Sequence, residues 1–166
     1  MQLDHYSSKF NPKKFPVTLV CCDVSNAPNI GSLLRVADAF GITKVYFCGT
    51  DIPIGRRMKK TSRSTENSVD FEKESSADEL IEQLKAHNFM LIALEITSNS
   101  IKLNSVKVNS KRPIALIIGG ENHGIAEKIL NKCDLTTHIE MYGNNSSMNV
   151  SHATAIALHH LIEQLH

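Results

Sequence analysis

Short apolar runs alternate along the chain with longer stretches in which apolar residues recur every three to four positions. Runs of strand length occupy 17–22, 44–48, 89–94, 114–118 and 135–139. Several are continuous rather than alternating, as expected of strands buried on both faces. Between the first two, the segment 29–40 sets Ile30, Leu33, Leu34 and Ala37 at the i, i+3, i+4, i+7 spacing of an amphipathic helix, and Gly41 stops it. Ser76 and Glu79 make a capping box, and Ala77, Leu80, Ile81 and Leu84 line one face of a helix running to about His87. The last segment, 149–166, places Val150, Ala153, Ala157 and Leu161 on one stripe that faces the sheet or a second subunit.

Strands alternating with helices predict an α/β fold, a mostly parallel sheet with helices on both faces. Ligands bind such sheets at the carboxyl ends of the strands. The segment 54–68 breaks the alternation. It is polar and carries Arg56, Arg57, Lys59, Lys60 and Arg63 within eight positions, which predicts an exposed basic loop. No repeat, low-complexity tract or Gly/Pro/Ser-rich linker divides the chain. Residues 1–16 read as an N-terminal arm, whose Lys9, Lys13 and Lys14 could join the basic patch, and 17–166 as a single domain.

Composition narrows this only a little. Of 166 residues, 42% are apolar and 21% charged, which excludes a disordered or fibrous chain. A formal charge of +1 gives no global attraction to polyanions, so any nucleic-acid affinity must come from local patches. Cys21, Cys22, Cys48 and Cys133 have neither a CxxC spacing nor a disulfide-scaffold pattern and read as free thiols. With no apolar N-terminal run and no stretch of membrane-spanning length, a cytoplasmic protein is expected.

Three segments concentrate polar chemistry where predicted strands end. The first, Asn29-Ile30-Gly31-Ser32-Leu33-Leu34-Arg35, opens a helix with Asn29 near the cap and Arg35 two turns in. A plain cap, and an Arg35 paired with Asp38 or left in solvent, would also account for it. The second, Gly119-Gly120-Glu121-Asn122-His123-Gly124, leaves a strand and lets backbone amides approach a ligand, but it is neither GxGxxG nor a P-loop. Glu121 suits a cationic ligand or an Arg rather than an anion. The third, Gly143 to Ser151, gathers Asn144, Asn145, Ser146, Ser147 and Asn149 at a helix start. Together they argue for one composite site. His123 and His152 have no carboxylate or Cys at ligand spacing, so no metal is expected.

The order "NIGSLLRVADAFGITKVYF", "IALIIGGENHGI", "IEMYGNNSSMNVSHATAIAL" resembles the three signature motifs of the SpoU, or TrmH-like, branch of the SPOUT RNA methyltransferases, and the match runs from Val17 to the C-terminus. The stretch "KKTSRSTENSVDFE" resembles that family's basic loop.

The resemblance implies a C-terminal trefoil knot with S-adenosylmethionine bent inside it. Largely backbone contacts would hold the cofactor at Leu94, Glu95, Gly119, Ile139, Met141, Ser147 and Met148. It also implies an obligatory homodimer in which Arg35 of one subunit meets the cofactor site of the other. The implied reaction is methyl transfer to a ribose 2′-hydroxyl of tRNA or rRNA, with tRNA favoured because no added recognition domain is visible. Arg35 would act as the base or grip a phosphate, Asn29, Glu121 and Asn149 would orient it or the ribose, and Ser147 would bond substrate or cofactor. A guanidinium holds its proton tightly, so the base role needs help from a phosphate or strong desolvation. Met148 stands where the family often has Leu, and His152 and Thr154 where small apolar residues are commoner. Alternatives are an RNA- or nucleotide-binding module without turnover, a base methyltransferase of the same superfamily, and a flavin protein. The absence of Trp and the presence of only three Tyr speak against the last.

Overall fold

The computed structural model describes residues 10–166. Twelve regular elements follow one another as β1 (Phe15–Cys22), α1 (Ala27–Ala39), β2 (Ile42–Cys48), α2 (Arg56–Ser62), β3 (Phe71–Glu74), α3 (Ala77–Ala86), β4 (Met90–Leu94), β5 (Ile101–Lys102), β6 (Ile114–Gly119), α4 (Glu127–Leu130), β7 (Leu135–His138) and α5 (Val150–Glu163). One seven-stranded sheet in the order β3-β2-β1-β6-β4-β7-β5 joins them, and every strand pair in it is parallel.

The continuous apolar run of β1 resolves by alternation. Val17, Leu19 and Cys21 turn to one face with Leu33 and Leu34 of α1 and Leu158 and Leu161 of α5. Val20 and Cys22 turn to the other with Leu80 and Ile81 of α3 and Ile129 of α4. Helices therefore cover both faces, and each fully buried Leu or Ile contributes roughly 1.5–3 kcal/mol of transfer free energy. All four cysteines are free, and burial, ahead of any neighbouring charge, pushes the thiols up, Cys48 to about 12 and Cys133 to about 11. Among the described residues no helix is long and apolar enough to cross a membrane.

Several local expectations change. The helix α1 starts at Ala27 and is capped by Asn26, whose side chain accepts the Asn29 N–H, so Asn29 is not the cap but a buried residue of the first turn. Pro28 in that first turn presets the helix earlier than the apolar period alone suggests. The basic segment is not a loop. Met58 and Ser62, one turn apart, are buried against α1, and the short helix α2 is followed by a 3-10 turn at Thr65–Asn67. Gly31 permits this contact, because a Cβ there would stand 2.9 Å from the Ser62 nitrogen. The edge strands β3 and β5 lie outside the expected set, being four and two residues long. β3 reads FEKE, with charges that guard an edge but hide a strand signal. On α5 Ala157 and Leu161 are buried as expected, joined by Thr154, Leu158 and Ile162, while Val150 and Ala153 are half-buried. β1 begins two residues before Val17, and the Lys14 ammonium donates to the Ile42 carbonyl. Lys9 lies outside the described residues.

Candidate active site

β1 lies third in the strand order, with β2 on one side and β6 on the other, so the order in which the chain fills the sheet reverses there. At the carboxyl ends of β4, β6 and β7 the loops leave a cavity of about 530 Å³. Its walls include Leu94, Glu95, Gly119, Ile139, Met141, Ser147 and Met148, brought together from segments up to 54 positions apart. Ile118, Gly120, Glu121, Gly124, His138, Asn149 and, from α5, Val150 and Ala153 also line it, and no Lys or Arg does.

The glycines shape this cavity by what they lack. A Cβ on Gly119 would lie 2.5 Å from both the Gly124 carbonyl oxygen and the Ile125 nitrogen, so the strand end and the returning loop touch backbone to backbone. Gly124 has φ +61 and its N–H donates to the Gly120 carbonyl at 2.9 Å, a conformation that glycine adopts without strain. The side chain of Glu95 locks the same loop. One carboxylate oxygen accepts the Ile125 N–H and the other the Ile96 N–H, each at 3.0 Å, while the Glu95 N–H donates to Thr137 of β7 at 2.9 Å. Glu95 therefore ties three walls of the cavity together through its side chain as well as its backbone, a role that only the folded loop reveals.

Beside the cavity the three motif segments meet. Asn149 caps α5 and accepts the Ser151 N–H at 2.9 Å and its hydroxyl at 2.6 Å. Its amide donates to the Asn29 side-chain oxygen at 3.0 Å, and the Asn29 amide donates in turn to the Glu121 carboxylate. Asn29 is only 6% exposed, so this chain of amides fixes both of its polar ends. Glu121, expected to suit a cation or an Arg, spends one oxygen on an amide instead and remains exposed.

Arg35 is exposed on α1 and is absent from the cavity walls of its own chain. Asp38, the alternative partner for Arg35, accepts the Ser68 hydroxyl at 3.1 Å. Ser147 reaches the cavity wall but makes no side-chain contact with the Asn29 network among the described hydrogen bonds. Arg56, Arg57, Lys59, Lys60 and Arg63 are all exposed, on α2 and at its left-handed end. His123 and His152 are exposed, and no cluster of three or more His, Cys, Asp or Glu able to hold a metal occurs among the described residues. His138, Val150 and Ala153 were not legible as wall residues, because nothing in their local pattern distinguishes them from strand and helix positions.

The model of the SpoU rRNA Methylase family matches residues 16–159. A 23S rRNA (guanosine-2'-O-)-methyltransferase of Blochmanniella floridana is 27% identical over 150 residues, covering 90% of this chain and 58% of that protein. A tRNA (guanosine(18)-2'-O)-methyltransferase of Aquifex aeolicus is 29% identical over 140 residues, covering 82% of this chain and 64% of its own length. The chain thus spans about three fifths of these curated relatives. Among solved structures, the A. aeolicus TrmH/SpoU tRNA modifying enzyme superposes with a TM-score of 0.82 at 24% identity, covering 92% of this chain and 77% of that one. The SpoU methyltransferase AviRb from Streptomyces viridochromogenes, solved with AdoMet, superposes with a TM-score of 0.80 at 23% identity, covering 91% and 60%. With the family model matching most of its length and the sheet and loops in the corresponding order, the chain belongs to the SpoU rRNA methylase family.

Proposed function

We propose that this protein is an S-adenosylmethionine-dependent RNA 2′-O-ribose methyltransferase, working as a homodimer. The observation that carries the reading is the Asn149–Asn29–Glu121 chain beside a cavity whose walls suit that cofactor. Leu94, Ile118, Ile139 and Met141 offer apolar surface to a purine, the backbone of Gly119 and Gly120 allows close approach, and Glu95 and Glu121 put negative charge near a cationic sulfonium or ammonium. When bound, S-adenosylmethionine supplies an electrophilic methyl group.

The protein's residues do the rest by positioning. Glu121 and Asn149, held through Asn29, present one free carboxylate oxygen and a helix N-terminus at the mouth of the cavity, where a ribose can be oriented. Attack by a ribose hydroxyl requires loss of its proton during the reaction. The partner's Arg35 meets that need, either by taking the proton with help from a neighbouring phosphate or by holding the phosphate bidentately. Its exposed position outside its own cavity supports action across a dimer. So does a surface hollow of about 440 Å³ on α5, bordered by the exposed Tyr142 and Ile156. The exposed cations of α2 would draw RNA, with tRNA preferred to rRNA.

The C-terminal segment is threaded as a trefoil knot in this reading, within one domain at 17–166 preceded by an arm. The chain leaving β4 forms the edge strand β5 beyond the place later taken by β7 and returns as β6 on the other side of β4, an order that supports such threading. Lys102 bonds Glu140 at 2.7 Å, lowering that carboxyl and raising the ammonium, while Gln164 of the last turn holds Val106 at 3.2 Å. Both contacts support a chain end passed through that loop.

Tritiated-methyl transfer to bulk tRNA and to rRNA, with products resolved as nucleosides, tests the reading. We expect label in a 2′-O-methylnucleoside from tRNA, reduced roughly a hundredfold or more in Arg35→Ala while cofactor binding persists. Label on a base, or no binding of S-adenosylmethionine, would sink it.

A further inference from the structure

His138, the last residue of β7, lines the cavity on the side away from Gly119 and is half-buried. β7 stands two places from β6 in the sheet, so roughly 10 Å separate the two ends. The imidazole is held from the neighbouring edge strand. β5 pairs with β7, setting Ile101 opposite Thr137 and Lys102 opposite His138, which brings Ser100 beside the ring. The Ser100 hydroxyl lies 2.9 Å from His138 Nδ1.

That hydroxyl is already engaged on its other side. It accepts the Thr97 N–H at 3.0 Å and donates its own proton to the Thr97 carbonyl at 2.8 Å. A hydroxyl has a single proton to give, so the contact with His138 is made by an N–H of the imidazole. The neutral ring then carries its proton on Nδ1, and Nε2 is left as a bare acceptor without a partner among the described residues.

We propose that His138 Nε2 accepts the 6-amino group of the cofactor's adenine and so selects adenine over 6-oxo purines. The inference rests on the methyltransferase reading above, which sets the reacting methyl group at the Glu121 end of the cavity. One end of the cofactor then has to reach the β7 side. Its amino-acid end carries a carboxylate, which there would lie against Leu94, Ile139 and Met141 with no Lys or Arg to meet it. The purine suits those apolar walls, and its amino group needs an acceptor at its edge. A 6-oxo purine sets a carbonyl oxygen against the Nε2 lone pair instead, so two acceptors face each other.

Calorimetry on the full chain with S-adenosylhomocysteine and S-inosylhomocysteine tests this, together with long-range proton–nitrogen spectra of the histidine rings. The wild type should bind the adenosyl ligand about tenfold or more tighter than the inosyl one. His138→Ala should remove most of that preference. It should also weaken 5′-methylthioadenosine, which lacks the amino acid, by the same factor as S-adenosylhomocysteine. The spectra should show His138 protonated at Nδ1 and bare at Nε2, and Ser100→Ala should reduce the preference for adenine. These two measurements carry the test if His138→Ala does not fold. An unchanged preference in either variant, unaltered binding of 5′-methylthioadenosine, or a proton on Nε2 of the free protein would overturn the assignment. If the wild type binds both homocysteine ligands alike, the His138 assignment alone falls. If it binds neither, the cofactor reading falls and this one with it.

Discussion

In the proposed function, the cavity walls and the basic face of α2 are two ways of building a binding surface. The walls are made by backbone contact and fixed hydrogen bonds. Gly119 touches Gly124, Glu95 clasps Ile125, and Asn149, Asn29 and Glu121 form a chain across three segments. The α2 face holds only its buried side, Met58 and Ser62, in place, and leaves five cations in solvent. Geometry does the work in the first region, and summed charge does it in the second. Changes in the walls should therefore act all-or-none, and changes on α2 in small, similar steps.

The sharpest break is Gly119→Val. A branched side chain would have to enter backbone that a single Cβ already meets at 2.5 Å. We expect a stability loss of about 3 kcal/mol or more, read from urea midpoints, and no cofactor binding by calorimetry. Wild-type affinity in that variant would show that the loop yields and is not a rigid wall.

Asn29→Ala should come next. It leaves the Asn149 amide and one Glu121 oxygen without their partner, at a cost of about 1–3 kcal/mol. Methyl transfer should fall more than cofactor affinity does, because Asn29 is not among the cavity's walls. An equal fall in both would make the network a cofactor support instead.

The buried thiols of β1 offer a third test. Burial raises Cys21 and Cys22 in the folded protein. The unfolded chain therefore loses its thiol protons first, and stability falls as pH rises past about 8.5, by up to about 1.4 kcal/mol per pH unit for each deeply buried thiol. Urea midpoints near pH 8 and near pH 10 should show the loss, and Cys22→Ala should reduce the slope. A flat profile would mean that the thiols are accessible.

The smallest steps belong to α2. Neutralising Arg56, Arg57, Lys59, Lys60 or Arg63 singly should weaken RNA binding modestly and reduce the slope of log affinity against log salt by about one each, with cofactor affinity unchanged. One position that abolishes binding alone would place a specific contact there.

Much of this was legible in the sequence, and the reason is local. Apolar runs buried on both faces mark β1, β2, β4 and β6 whatever surrounds them, and a capping box marks α3 without help from the rest of the chain. The three polar segments at strand ends could be read as one site because parallel sheets deliver such ends to one edge. Other features needed the fold. FEKE became a strand only by pairing with β2, and the basic segment became a helix only because Gly31 left room for Met58 and Ser62. Asn29 reads as a cap in sequence, and its burial between Asn149 and Glu121 depends on contacts 120 and 92 positions away. Periodicity and capping determine elements because they act within a few residues. The tertiary structure alone decided which polar groups face one another, because hydrogen bonds and cavities depend on distances that residue spacing does not encode.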